Sequence, residues 1–379
     1  MSAKQRNVSA NIIHKTKQVN KTVQNRFQTV SIPFSNRFQT VSKANLSPFK
    51  IVSNCECVSC LDTLAEHGKT AQIGVGESVF LSNKDKKQED KPNGKDTLLK
   101  RARAKHLTQN IARSLADLNS DLKKSYWNTY YCANILEQHE QKITSKYCKN
   151  RFCIVCNRIR TANLIADWMP VLKKMNEPVS LTLTIPNCKG EDLKDEIRRM
   201  KGVFEQIRNL YKKRGVTIQA LRKLEVTFNP KTLLFHPHFH VIINGLDLAN
   251  NILLDWMQRF PECNIKGQFI QRADDNSLFE LFKYVTKFVS NKKGIYIRAL
   301  DTIFTAMYGQ RTFQAYGLKK EVNEDIEKLI SEIYKDVEAK ETTWSWIEDD
   351  WIDLKTGECL TSYKPSEQMM TLISNINTS

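Results

Sequence analysis

Two histidines separated by one residue stand in the octet His236-Pro237-His238-Phe239-His240-Val241-Ile242-Ile243. Side chains of an extended strand alternate between faces, so Phe239, Val241 and Ile243 turn to one side. His238 and His240 turn together to the other, about 7 Å apart at the backbone. His236 shares their parity, and Pro237 sets it at the start of the strand. Imidazoles this close can converge on one cation. The preceding run, Leu221 to Phe228, alternates in the same way, and Asn229-Pro230-Lys231-Thr232 between the runs is a hairpin signal. Pairing through that turn puts Leu224, Val226 and Phe228 on the core side and Lys223, Glu225 and Thr227 on the open side. Glu225 then lies beside the histidines. Two imidazoles and a carboxylate with open positions suit Mg²⁺ or Mn²⁺ holding a phosphate oxygen.

A second group is Glu280-Leu281-Phe282-Lys283-Tyr284-Val285-Thr286-Lys287. At helical spacing Leu281, Val285 and Phe288 form a core stripe, while Glu280, Tyr284 and Lys287 share a polar one. A tyrosine attacks a phosphodiester once its phenol, with an unperturbed pKa of about 10, is helped toward deprotonation by a metal or nearby lysines. Lys283 and Lys287 are placed to steady developing phosphate charge, and Glu280 to act as a general base for water. Glu-x-x-x-Tyr alone is common on helices; its weight comes from following the histidine strand. A third group, Cys148-x₄-Cys153-x₂-Cys156, contains the C-x₂-C spacing of a zinc knuckle, and Cys132 upstream supplies a fourth thiol. Buried free thiols are the alternative. Cys55, Cys57 and Cys60, with His67 near them, form a separate, weaker cluster.

These residues need elements to hold them. Leu98 to Leu122 reads as one basic helix. Strands are expected at 180–186, 221–228, 235–244 and 264–272, and helices at 191–213, 250–259 and 277–290. The order β-α-β-β-α-β plus a helix is that of an α+β, ferredoxin-like antiparallel sheet with helices on one face, the other face left free for a site. The expected domains are 1–96, a largely disordered basic arm and linker; 97–175, basic, helical and Cys-rich; 176–320, the catalytic domain; and 321–379, an acidic segment. The arm carries Asn-Arg-Phe-Gln-Thr-Val-Ser twice, at 25–31 and 36–42, too few copies for a solenoid. In the acidic segment, Trp344, Trp346 and Trp351 are expected to cover an apolar patch rather than stack bases.

The 379 residues carry a net charge of +17, which favours a polyanionic partner, nucleic acid first. By segment the charge is +11 over 1–110, +15 over 111–320 and −9 over 321–379. No apolar run approaches the length of a membrane helix, and the N-terminus is polar, without a signal-peptide core. A cytoplasmic chain with no membrane partner is expected, its ten cysteines reduced or metal-bound. Arg151, Arg158 and Arg160 beside the cysteines would set positive charge against phosphates.

Taken in order, four blocks resemble the HUH endonuclease superfamily, and within it the plasmid rolling-circle replication initiators of the single-tyrosine-plus-glutamate branch: Cys148 to Arg158, Leu181 to Thr184, His236 to His240, and Glu280 to Lys287. Tyr308 to Gly317, with Arg311, looks like a weaker fifth block. Ile154 departs from the proline that such proteins often carry after the second cysteine. The resemblance implies a nickase that cuts one strand at a plasmid origin, stays on the 5′ end through Tyr284, and terminates with Glu280 as base. It implies His238 and His240 as metal ligands; Glu225 as the third is read from strand register. Origin DNA, duplex and single-stranded, is the implied partner, with host helicase and polymerase. A relaxase or single-tyrosine transposase would share the same core. In a non-catalytic DNA-binding protein the histidines would hold a structural ion and Tyr284 would pack.

Overall fold

The computed structural model describes residues 94–282, 290–291, 294–320 and 338–377. The seven-residue repeat, the cluster Cys55, Cys57 and Cys60, and Lys283, Tyr284 and Lys287 lie outside the described residues. Helix α1 (Gly94–Ala116) buries Leu98, Ala102, Lys105, Ile111 and Leu115 along one side. The sequence predicts this helix running on to Leu122, but it stops earlier. Ser120 Oγ accepts from Leu122 N–H and donates to Asp301 Oδ1 at 2.6 Å, a side-chain turn that competes with helix. A separate helix α2 (Lys123–Tyr130) follows.

Strands β1 (Ile135–His139) and β2 (Lys142–Ser145) pair antiparallel, with Glu140 at φ 54° in their two-residue turn. The sequence reading contains neither strand. Helix α3 (Ile154–Lys173) then leads to β3 (Pro178–Thr184). Helix α4 (Leu193–Lys213) buries Leu193, Ile197, Met200, Phe204, Ile207 and Tyr211, one stripe at helical period. Next come β4 (Ala220–Asn229), β5 (Leu234–Asn244), α5 (Leu246–Arg259), β6 (Phe269–Arg272) and α6 (Asp275–Phe282). Short strands β7 (Ser290–Asn291) and β8 (Gly294–Tyr296) precede α7 (Ile297–Met307) and β9 (Phe313–Tyr316). The chain continues through β10 (Thr342–Ile347), β11 (Asp350–Asp353), α8 (Glu367–Ser374) and β12 (Ile376–Asn377).

The central sheet has the order β6-β3-β5-β4-β9, every pair antiparallel. The fold is mixed α+β. Phe239, Val241 and Ile243 of β5 and Leu224 and Val226 of β4 are buried in the main core, with Phe204 of α4 meeting Phe239 edge-on at 5.9 Å. The second sheet face departs from expectation: it is not free along its length. Ile242 and Leu221, of the same parity as His240 and Lys223, pack with Leu278, Leu281 and Phe282 of α6 and Met169 and Leu172 of α3 in a smaller core. Apolar side chains on that face recruit a cover at one end of the strands, while His240 at the other keeps 37% of its side chain exposed.

The second large sheet, β11-β10-β1-β2, joins residues about 200 positions apart in sequence. Trp344, Trp346 and Trp351 are buried there, not stacked in solvent. Each indole N–H has an acceptor: Gln138 Oε1 for Trp344, Gln109 Oε1 for Trp346 and Ala133 O for Trp351, at 2.9, 2.8 and 2.9 Å. The acidic segment thus completes the structure around α1 instead of lying apart from it. Trp351, wholly buried, is its keystone. Replacing it with alanine should cost about 3–5 kcal/mol, read as a lowered urea midpoint; an unchanged midpoint would mean that 342–353 does not stabilise the fold.

Candidate functional site

The register of β4 on β5 sets Glu225 opposite His238 and Lys223 opposite His240. One ligand atom from each of Glu225, His238 and His240 lies within 4.8 Å of the others. Glu225 Oε2 is 3.6 Å from His240 Nε2. Glu225 and His238 are buried and His240 is half-exposed, so the group opens to solvent on one side. Burial, reinforced by the neighbouring His240, holds His238 down at about 4, and burial beside His238 holds His236 at about 3. Both imidazoles are neutral near pH 7 and keep a lone pair for a ligand. Thr182 Oγ1 lies 3.3 Å from His240 Nδ1, and the His236 carbonyl lies 3.0 Å from His238 Nδ1. Such outer contacts fix ring orientation, leaving Nε2 for an ion. His236 itself meets Asn187 Oδ1 through Nδ1 at 2.8 Å.

Sequence parity put Lys223 on this face without giving it a task. Its ammonium is buried and 2.7 Å from Glu225 Oε2. The pair sets a cation against the carboxylate where water is scarce, the arrangement a buried charge needs. One carboxylate and two imidazoles, with room on the exposed side, fit a hard divalent cation with vacant positions. Glu280 is exposed on α6, whose packing against Ile242 puts that helix on the histidine face of the sheet.

The cysteines form a second centre. Cys132, Cys148, Cys153 and Cys156 bring their sulfurs within 4.8 Å of one another. Cys132 and Cys148 lie 3.5 and 3.6 Å from Cys156. A disulfide needs about 2.05 Å, whereas thiolates around a tetrahedral ion at about 2.3 Å stand about 3.8 Å apart. The donor set fits zinc. Backbone N–H groups of Cys148, Asn150 and Cys156 point at the sulfurs of Cys132, Cys148 and Cys153, each at 3.4 Å. Hydrogen bonds from the other three thiols hold Cys148 well below its ordinary value, and burial pushes Cys153 well above. Beneath them Lys105, fully buried on α1, donates to Tyr130 O and Asn134 Oδ1. Burial lowers its pKa to about 8, against the opposing pull of the cysteines. No motif in the sequence marks this cation. Ile154 is the first residue of α3, and its N–H donates to Thr108 Oγ1 at 3.2 Å.

Residues 140–244 match the family described as Replication protein. Over 203 residues the chain is 30% identical to Protein rep of Staphylococcus aureus, covering 48% of this chain and 86% of that one. The chain belongs to this family. It is also 26% identical over 210 residues to Protein rep of Lentilactobacillus hilgardii, covering 67% of that protein, and 32% identical over 102 residues to Protein rep of a Bacillus species. The Bacillus match spans only 33% of that relative's length. No solved structure matches. For this Rep-family chain the matched span takes in the Cys148–Cys156 loop, Glu225 and the histidine strand, and ends before Glu280.

Of the arginines beside the cysteines, Arg160 is committed to the loop itself, donating to Asn157 Oδ1 and Lys149 O, both at 2.8 Å. Arg158 is half-buried. Arg151 and Arg311 are exposed, Arg311 donating to Gln314 Oε1 at 3.3 Å. Arg151 donates to the Gln310 carbonyl, and Lys201 to the Gln310 side chain at 2.6 Å, so one loop draws the knuckle and α4 together. No described helix is long and apolar enough to cross a membrane. The Rep-family protein should hold about one zinc per chain by atomic absorption. Cys153→Ser should lose it with a fall in thermal midpoint, and unchanged zinc content would refute the four-thiolate centre. At the other site, His240→Ala should weaken Mn²⁺ binding by at least about tenfold, measured by titration calorimetry.

Proposed function

We propose that this chain initiates plasmid rolling-circle replication by nicking one strand of the origin through a tyrosine nucleophile. The observation that carries the reading is the convergence of Glu225, His238 and His240 on a sheet face against which α6 is packed. Tyr284 follows Phe282, the last described residue of α6, by two positions in sequence. The strand succession β6-β3-β5-β4 is that of a ferredoxin-like unit, which supports the HUH assignment. Membership in the replication-protein family supports replication as the process.

In this reading Glu225, His238 and His240 would hold a Mg²⁺ or Mn²⁺ ion, which would supply Lewis-acid chemistry to the phosphodiester. The Tyr284 phenol gives up its proton and its oxygen attacks phosphorus. The bond from phosphorus to the 3′ oxygen breaks, that oxygen takes up a proton, and the 5′ phosphate remains on the tyrosine. A free 3′-hydroxyl is then available to a host polymerase. The phosphotyrosine bond conserves the energy of the phosphodiester, so the strand can be rejoined without ATP. Lys283 and Lys287 balance charge on the phosphoryl group, and Lys223 holds Glu225 in place by their 2.7 Å ion pair. Glu280, four residues before Tyr284 in sequence, takes the proton from water at the terminating cleavage. Arg151 and Arg311 hold flanking phosphates, with Arg158 and Arg160 organising the knuckle beside them. The same core would serve a relaxase; the Rep-family relatives favour the initiator.

The test is nicking of supercoiled plasmid origin DNA with Mn²⁺, followed by gel analysis of protein–DNA adducts. Tyr284→Phe should abolish the 5′ adduct, and His238→Ala should reduce cleavage by about a hundredfold or more. Persistence of the adduct in Tyr284→Phe would assign the nucleophile elsewhere. Glu280→Ala should still nick but fail to release closed single-stranded circles; loss of both would end the division of roles.

A further inference from the structure

Helix α2 ends in a surface cluster of aromatic rings that neither metal site uses. Trp127 and Tyr130 meet edge-on at 5.4 Å, and Tyr130 meets Tyr131 edge-on at 5.0 Å. Trp127 and Tyr131 lie close to parallel, 28° between planes, at 6.3 Å. Trp127 is partly buried against the core, while Tyr131 is 59% exposed. Arg113 of α1 spreads over the Tyr130 ring at 5.4 Å and donates to its hydroxyl at 2.9 Å. Lys123 and Lys124 are exposed one turn before Trp127, and helical spacing places Lys124, Trp127 and Tyr131 along one side. No acidic residue occurs in α2.

Tyr131 leaves more than half of its surface to solvent, so one part of its ring is open to a ligand. Its backbone is nonetheless held: the Tyr131 N–H donates to Trp127 O at 3.1 Å, and the next residue is the thiol ligand Cys132. The rings therefore present fixed π-faces, so stacking on them costs little ordering entropy. Guanidinium and ammonium groups beside the rings match phosphates spaced along a strand. Rings interleaved with cations are how proteins grip unpaired nucleotides regardless of sequence. The exposed lysines of α2, with no carboxylate among its residues, favour a polyanionic strand as the occupant.

We infer that Trp127, Tyr130 and Tyr131, edged by Arg113, Lys123 and Lys124, form a stacking platform for the unpaired bases of single-stranded DNA. The choice of DNA rests on the replication reading, whereas the stacking chemistry does not. A nicked origin exposes such a strand, and the platform would hold it beside the Cys₄ centre.

The experiment is fluorescence anisotropy with the full chain and two labelled strands of about 20 nucleotides, one of mixed sequence and one abasic with the same phosphates. Divalent ions are omitted, so a chain that never nicks DNA still reports. Wild type should prefer the base-bearing strand. Tyr131→Ala should lose about tenfold on that strand and keep its abasic affinity, and Tyr131→Phe should restore the preference. Equal loss on both strands, or no loss, overturns the platform. So does a change in sedimentation from larger species to monomer with DNA affinity unchanged, which would assign the patch to contact between copies.

Discussion

Strand β5 is hydrogen-bonded on both sides, to β3 and β4, and its pleat carries two incompatible populations of side chains. Phe239, Val241 and Ile243 belong in a dry core; His238 and His240 gather with Glu225 in a polar cluster. A slip of one residue would expose the first set and bury the second, so register is fixed by the cost of both errors together. Everything at the site inherits that register. Glu225 faces His238 because Phe228 pairs with Phe235 at the hairpin end, and Lys223 follows two residues behind. The site is therefore held by rigid strands, while exposed Glu280 comes from a helix laid over the same face.

The cysteine centre and the tryptophan sheet depend on each other in a less local way. Lys105 is buried between them, its ammonium on Tyr130 O and Asn134 Oδ1 and 5.9 Å from the centre of the Trp346 ring. A buried ammonium is costly unless negative charge or acceptors surround it, and thiolates supply that charge from one side. Arg101, one turn earlier, lies over Tyr147 and Trp351. Lys105 is thus shared between sulfur and indole and Arg101 between phenol and indole, which ties the knuckle to strands that the chain reaches only much later.

The central unit was legible because its signals are local. Alternation in Leu221 to Ile243, the turn between its halves and the period of α4 each speak for one element. Ile242 also carried a message that the histidines obscured: an apolar residue on their own face announces a cover. The β1–β2 and β10–β11 hairpins were invisible for a definite reason. Their two-residue turns place Glu140 and Glu348 at φ 54° and 55°, where asparagine or glycine would have advertised the bend. Nor does any sequence pattern say that Ile135 should pair with Ser345. The burial of Lys105 and Lys223 was not legible, because a cation reads as surface until its partners are known.

That distant pairing has a consequence for how the protein comes into being. Synthesis proceeds from the N-terminus at a few residues per second, and β3 to β9 can close on themselves as they emerge. The sheet around α1 cannot, because β1 waits for β10 and the pocket left for Trp351 waits for its indole. Non-local contacts of this span are the slow ones to form. The nascent chain can therefore close the histidine strands before the sheet that flanks the thiols has its last strands. Timing, not only geometry, separates the residues grouped around His240 from the module built around the thiols.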